Sequence, residues 1–242
     1  GYITRNLEQM KLVYNINTVN IYTLDTLNDN YREWLFDELK RLDMKAVVRI
    51  EAYDENTFEF TDTDLKEVMQ RHEQLIEFVS SEDRRGQVAY FALNMPVDHG
   101  LVMNRLGGIN SQLSKERQVS YAKAFVKAMR EETASYGFTD SKLFLSIFYG
   151  WDNTYNIPSY ADAKADGYFI NNYSYPKGRV LGADSDGEAL INAERLGISM
   201  ATLIKQYGDA PFVLESGFHT LEYNNGIKPG QTAGLVADVE AK

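Results

Sequence analysis

Short, almost wholly apolar runs alternate with longer amphipathic stretches along this chain, and that alternation constrains its fold more than any other feature. The runs are Thr18 to Leu24, Ala46 to Ala52, Gln87 to Leu93, Leu143 to Phe148, Tyr168 to Tyr173 and Pro211 to Glu215. They are rich in β-branched and aromatic residues, as strands are. Apolar residues on both faces of each run point to a parallel sheet covered by helices.

The intervening stretches carry helical periodicity. A helix is expected from Thr4 to Tyr14, with Leu7, Met10, Leu12 and Val13 toward a core. Asn28 or Asn30 is placed to cap a second helix, whose face holds Tyr31, Leu35, Leu39 and Leu42. Asp62 or Thr63 is placed to cap a third, with Leu65, Val68, Met69, Leu75, Ile76 and Val79 on its buried side. A long helix runs from about Ser114 to Tyr136 and stops at Gly137. A short helical piece follows around Ser159 to Lys164, then a helix from Gly187 to Tyr207 ending at Gly208, and a last one starts at Gln231.

The longer polar insertions follow strands: Asp54 to Thr61, Pro96 to Leu113, Gly150 to Pro158, Ser174 to Asp186 and Ser216 to Gly230. The connections before strands are short. A (β/α)8 TIM-type barrel shows this asymmetry, because its strand C-termini carry the site. An open doubly wound sheet is the alternative, since it too binds ligands at strand C-termini. No Gly-rich phosphate loop follows any strand, so a nucleotide cofactor has no support. About six strands are legible where a closed barrel has eight. The expectation is a single barrel domain over residues 1–242 that lacks the first and last strands, a fragment of a longer chain.

Composition narrows the function. The net charge is −10, with acids spread along the chain, which argues against nucleic acid or an anionic membrane as partner. No apolar run is long enough to span a bilayer. There are no cysteines, which removes disulfides, thiolate metal sites and cysteine nucleophiles. Three scattered histidines give no case for catalytic zinc, and His72 reads as a packed or surface residue in mid-helix. Asp184 to Gly187 has the flavour of a calcium loop but reads better as a helix cap. Sixteen tyrosines suit a surface that stacks on sugar rings.

Polar residues gather at the strand exits: Asp25, Glu51 with Asp54, Asn94 with Asp98, Trp151 with Asp152, Tyr173 with Tyr175, and Glu215 with His219. Glu215 ends an apolar run, where a carboxylate must be paired or functional. Arg49, inside a strand, is placed to pair with Glu51 or a neighbouring carboxylate. Trp151, Tyr149 and Tyr155 are candidates for stacking on sugar, with plain packing as the alternative.

Pro211 to Phe218, with Glu215-Ser216-Gly217 at its centre, resembles the seventh-strand motif of retaining glycoside hydrolases in the large barrel clan called clan A. Asp166 to Pro176 resembles the sixth strand of those enzymes, and Thr18 to Tyr22 the second, with Asn20 where the clan often has arginine. The resemblance implies that Glu215 is the nucleophile, that Tyr173 or Tyr175 contacts it, and that Asn94 holds a sugar 2-hydroxyl.

One position departs from the clan. There the fourth strand ends Asn-Glu, and that glutamate is the general acid/base; here the stretch is Asn94-Met95. Methionine carries no proton, so a retaining enzyme would draw its acid from Asp98, three residues on and the favoured candidate, or else from Glu51. The leading expectation is a retaining glycosidase acting on β-linked oligo- or polysaccharide without metal or cofactor, with His219 against a sugar hydroxyl. A non-catalytic carbohydrate-binding barrel is the second reading, and a metal-dependent barrel lyase or hydrolase the third. A polysaccharide substrate would favour a secreted or periplasmic location, and the oligomeric state stays open.

Overall fold

The computed structural model of the chain describes residues 2–21, 24–51, 58–95, 112–148, 159–172, 205 and 207–216. Four helices and six strands lie in them: α1 (Tyr2–Leu12), β1 (Thr18–Ile21), α2 (Asp29–Arg41), β2 (Lys45–Ile50), α3 (Asp62–Ser80), β3 (Val88–Asn94), α4 (Gln112–Ser135), β4 (Leu143–Phe148), β5 (Gly167–Asn172) and β6 (Phe212–Ser216). The six strands form one sheet in strict chain order, every neighbouring pair parallel. The doubly wound alternative is thereby corrected. Such a sheet reverses its strand order at a switch point, and none occurs among the six described strands.

Strand alternation divides the core in two. Ala46, Val48 and Ile50 of β2, and Phe91 and Leu93 of β3, join the main hydrophobic core. That core also holds Leu35, Phe36 and Leu39 of α2, Val68, Leu75, Ile76 and Val79 of α3, and Phe125 and Met129 of α4. The alternate residues Val47, Tyr90, Phe144, Phe169 and Val213 line the other face, around a cavity of about 600 Å³. Thr18 and Asn20 of β1 line it together with Val213 of β6, so both edge strands border one concavity. Arg49 of β2 confirms the curvature by lying 5.2 Å from the ring centroid of Phe169 on β5. In a flat sheet those strands would stand roughly 14 Å apart. The sheet is therefore rolled like a barrel wall, helices outside.

Local signals explain most boundaries. Asn28 caps α2, its Oδ1 accepting the Tyr31 N–H at 2.9 Å. The α3 cap is Thr61, one residue before the pair expected. Asp64 makes the difference: its carboxylate accepts the Thr61 N–H at 2.7 Å while Thr61 Oγ1 accepts the Asp64 N–H, closing a capping box. Gly137 and Gly208 have φ of 81° and 63°, which suits glycine at helix ends. β1 is described over Thr18–Ile21, and Leu24, the last residue of the expected strand, instead opens a 3₁₀ turn, Leu24–Thr26. The piece at Ser159 to Lys164 contains a single 3₁₀ turn, Ala161–Ala163.

The face expected of α1 needs the largest correction. Leu7 is buried, but Met10, Leu12 and Val13 are 37%, 78% and 67% exposed. The helix ends at Leu12, so Val13 lies beyond it, and no described element covers this end. The helix expected from Gly187 to Tyr207, the one from Gln231 and the stretch from Asp184 to Gly187 fall largely or wholly outside the described residues.

Candidate functional site

The strand C-termini form one rim, and on it the end of β2 meets the end of β3. Register pairs Ile50 with Leu93, so Glu51 and Asn94 follow side by side. The Asn94 amide Nδ2–H donates to Glu51 Oε1 at 2.9 Å. Arg49, two residues before Glu51 and so on the same face, brings its Nε to 3.1 Å from Glu51 Oε1. Its Nη2–H donates to Asn94 Oδ1 at 3.3 Å, which closes a three-residue ring of contacts. The Phe169 ring backs the guanidinium from across the barrel.

This cluster is largely desolvated. The Arg49 side chain is 4% exposed and that of Glu51 24%. Burial pushes the Glu51 carboxyl above the usual range, because removing water penalises the charged form most. Arg49 pulls it back down, the negative charge of Asp25 raises it, and the Asn94 hydrogen bond lowers it. A carboxyl with a raised pKa, one oxygen ion-paired with Arg49 and accepting from Asn94, is suited to carry a proton on the other.

A further residue reaches the main chain of Glu51 from behind. His72 of α3 is fully buried, and its Nδ1 lies 2.8 Å from the Val68 carbonyl oxygen. The Glu51 backbone N–H donates to His72 Nε2 at 3.4 Å. The expected mid-helix packing is correct for His72, but the contact with Glu51 was missed. Only the three-dimensional approach of α3 to β2 reveals it.

Met95 lies 5% exposed in the helix-side core with Phe91 and Leu93, while Asn94 belongs to the opposite face. Asn20, where the clan often carries arginine, lines the concave cavity. Its buried Oδ1 accepts no hydrogen bond from the described residues. Glu215 lies in β6, its backbone in register with Asn171 of β5. Asp98, Tyr149, Trp151, Tyr173, Tyr175 and His219 lie outside the described residues. Among the described residues no group of His, Asp and Glu is placed to hold a metal ion, and no helix is long and apolar enough to cross a membrane.

No family model matches the sequence, and no curated protein sequence does. Solved structures do share the fold. One is a β-glucuronidase from Bifidobacterium dentium complexed with coumarin-3-O-glucuronide, 14% identical with a TM-score of 0.57. The match covers 100% of this chain and 35% of that one, so this chain spans about a third of its length. Another is a glycoside hydrolase family 5 enzyme from Prevotella bryantii, 14% identical with a TM-score of 0.53, covering 92% of this chain and 70% of that one. The chain thus has the helix-clad parallel barrel architecture found in these glycoside hydrolases, over six strands of the wall.

Proposed function

We propose that this chain is the catalytic barrel of a glycoside hydrolase acting on β-linked sugars, with Glu51 as proton donor and Glu215 as nucleophile. The observation that carries the reading is the Arg49–Glu51–Asn94 cluster at the strand C-termini, whose carboxyl holds its proton more tightly than a solvated one. Glu215 stands two residues beyond Val213, which lines the concave cavity, so strand alternation gives the two positions the same parity.

In the retaining mechanism the Glu215 carboxylate attacks the anomeric carbon and the glycosidic C–O bond breaks. The leaving oxygen takes the proton of Glu51. Water then gives a proton to the Glu51 carboxylate and attacks the same carbon, releasing Glu215. This sequence requires the two carboxyl groups about 5–5.5 Å apart. Asp98 is the competing donor, and substitution separates the two. Asn94 would meet the sugar as part of the cluster, and Tyr149, Trp151, Tyr173, Tyr175 and His219 would line the subsites. In this proposal residues 1–242 belong to one barrel domain.

The test is hydrolysis of a panel of aryl β-glycosides, including a coumaryl glucuronide, and of soluble β-glucans, mannans and galactans. Glu215→Gln and Glu51→Gln should each lower turnover by about 10³-fold or more while oligosaccharide binding persists. Full activity in Glu51→Gln with loss in Asp98→Asn would transfer the donor role to Asp98. The second reading, a barrel that binds sugar without cleaving it, is favoured by one observation: Met95 occupies the clan's acid/base position and is packed in the core. Sugar binding with no cleavage by the wild type would establish it.

A further inference from the structure

We infer that His72 is a positioning residue for Glu51, fixing the end of β2 through the backbone rather than touching the carboxyl. The inference rests on the reading of Glu51 as a working carboxyl. Its basis is the geometry of the two ring nitrogens. Nδ1 lies 2.8 Å from the Val68 carbonyl oxygen, which can only accept, so Nδ1 carries the proton. In the neutral ring Nε2 is then an acceptor, and it faces the Glu51 N–H at 3.4 Å. The ring is fully buried, which favours that neutral form. The charges that act on it are Asp25, from the turn after β1, and Arg71, from its own helix.

The position of this contact gives it a role beyond packing. β2 ends at Ile50, so the ladder that holds residues 45–50 has stopped where Glu51 begins. His72 supplies the next backbone anchor. It ties the strand end to α3, which is itself fixed in the core by Val68, Leu75, Ile76 and Val79. Arg49 and Asn94 grip the Glu51 carboxyl from the concave side, and His72 holds its main chain from the helix side. The carboxyl is thereby held from both ends. A misplacement of about 1 Å in a reacting group costs up to about 10²-fold in rate, so such an anchor matters to turnover.

The experiment compares wild type, His72→Phe, which keeps a ring but no nitrogen, and His72→Gln, which retains an acceptor at the end of the side chain. Three quantities are read. Imidazole ¹⁵N shifts in the wild type should show Nδ1 protonated and Nε2 bare near neutral pH. The Glu51 carboxyl, followed by ¹³C NMR, should titrate closer to the ordinary carboxylate range in His72→Phe and return toward wild type in His72→Gln. Turnover should fall about tenfold in kcat with KM within about twofold in His72→Phe, and recover in His72→Gln.

A bare Nδ1 with protonated Nε2, or a folded His72→Phe whose Glu51 titration matches wild type, overturns the inference. Should His72→Phe not fold, His72→Gln and the tautomer decide it: a folded His72→Gln with Glu51 titration displaced further than its acceptor allows overturns it too. A wild type without hydrolysis refutes the enzyme reading separately, because the tautomer and the Glu51 titration need no substrate.

Discussion

The guanidinium of Arg49 sits 5.2 Å from the centroid of the Phe169 ring, although β2 and β5 are separated by two strands. One contact thus joins opposite parts of the wall and sets the electrostatics of the rim. Arg49 holds the Glu51 pKa below where burial alone would put it. Arg49→Met should therefore raise that pKa. If Glu51 donates the proton, the alkaline limb of the kcat/KM profile should move to higher pH, because the protonated form persists longer. A limb that moves down or stays in place would remove Glu51 from the donor role. The lost contact with Phe169 should cost about 1 kcal/mol of stability as well, read from denaturant melts.

Burial depresses the His72 pKa below its ordinary 6.5, with the Val68 hydrogen bond and Asp25 opposing and Arg71 assisting. The unfolded chain then binds more protons than the folded one as pH falls below 6.5. The neutral ring accordingly contributes stability above that pH, and the contribution is lost as pH falls through the folded value. Glu51 works in the opposite sense, since its raised pKa favours the folded state on the acid side. The difference between wild type and His72→Gln isolates the histidine: urea midpoints compared from pH 7 downward should fall less steeply in the variant.

Two buried tyrosines offer a matched pair. Tyr160 donates its hydroxyl to Gln118 Oε1 at 2.7 Å, whereas the buried Tyr121 hydroxyl has no hydrogen-bond partner among the described residues. Tyr160→Phe should cost about 1–2 kcal/mol. Tyr121→Phe, which keeps the ring against Phe58, Phe60 and Phe125, should be neutral or stabilising by up to about 1 kcal/mol. Thermal melts of both variants check the contrast, and equal losses would refute it.

Gly167 opens β5 with no room for a side chain. A Cβ there would lie 2.7 Å from both the Phe144 ring and the Pro211 carbonyl oxygen. That carbonyl accepts the Tyr168 N–H at 2.9 Å, so it cannot yield without loosening the β5–β6 connection. Gly167→Ala should destabilise by about 1–3 kcal/mol. Gly86→Ala, which meets nothing within 4 Å, should change little and serves as the control in the same melts.

The alternation of apolar runs made the strand order legible, because runs buried on both faces and joined by helices leave few topologies. Arg49 and Glu51 were legible for a related reason: a charge inside an apolar run needs a partner. Asn94 was visible at its strand end, but its role as the bridge between Arg49 and Glu51 depends on register, which periodicity does not fix. His72 carried no local signal, since one histidine on a buried helix face looks the same whether it merely packs or anchors a strand. Met10, Leu12 and Val13 misled for the opposite reason. Apolar spacing announces a face, and says nothing of whether another element comes to cover it.

Asn94 and Met95 are chain neighbours that serve different sides of the same wall, one at the rim cluster and one among Phe91 and Leu93. That division limits which substitutions this strand end can accept. A glutamate at position 95 would land in hydrocarbon, at a cost of several kcal/mol. Packing, as much as the choice of side chain, therefore decides which position at this strand end can bear a charge.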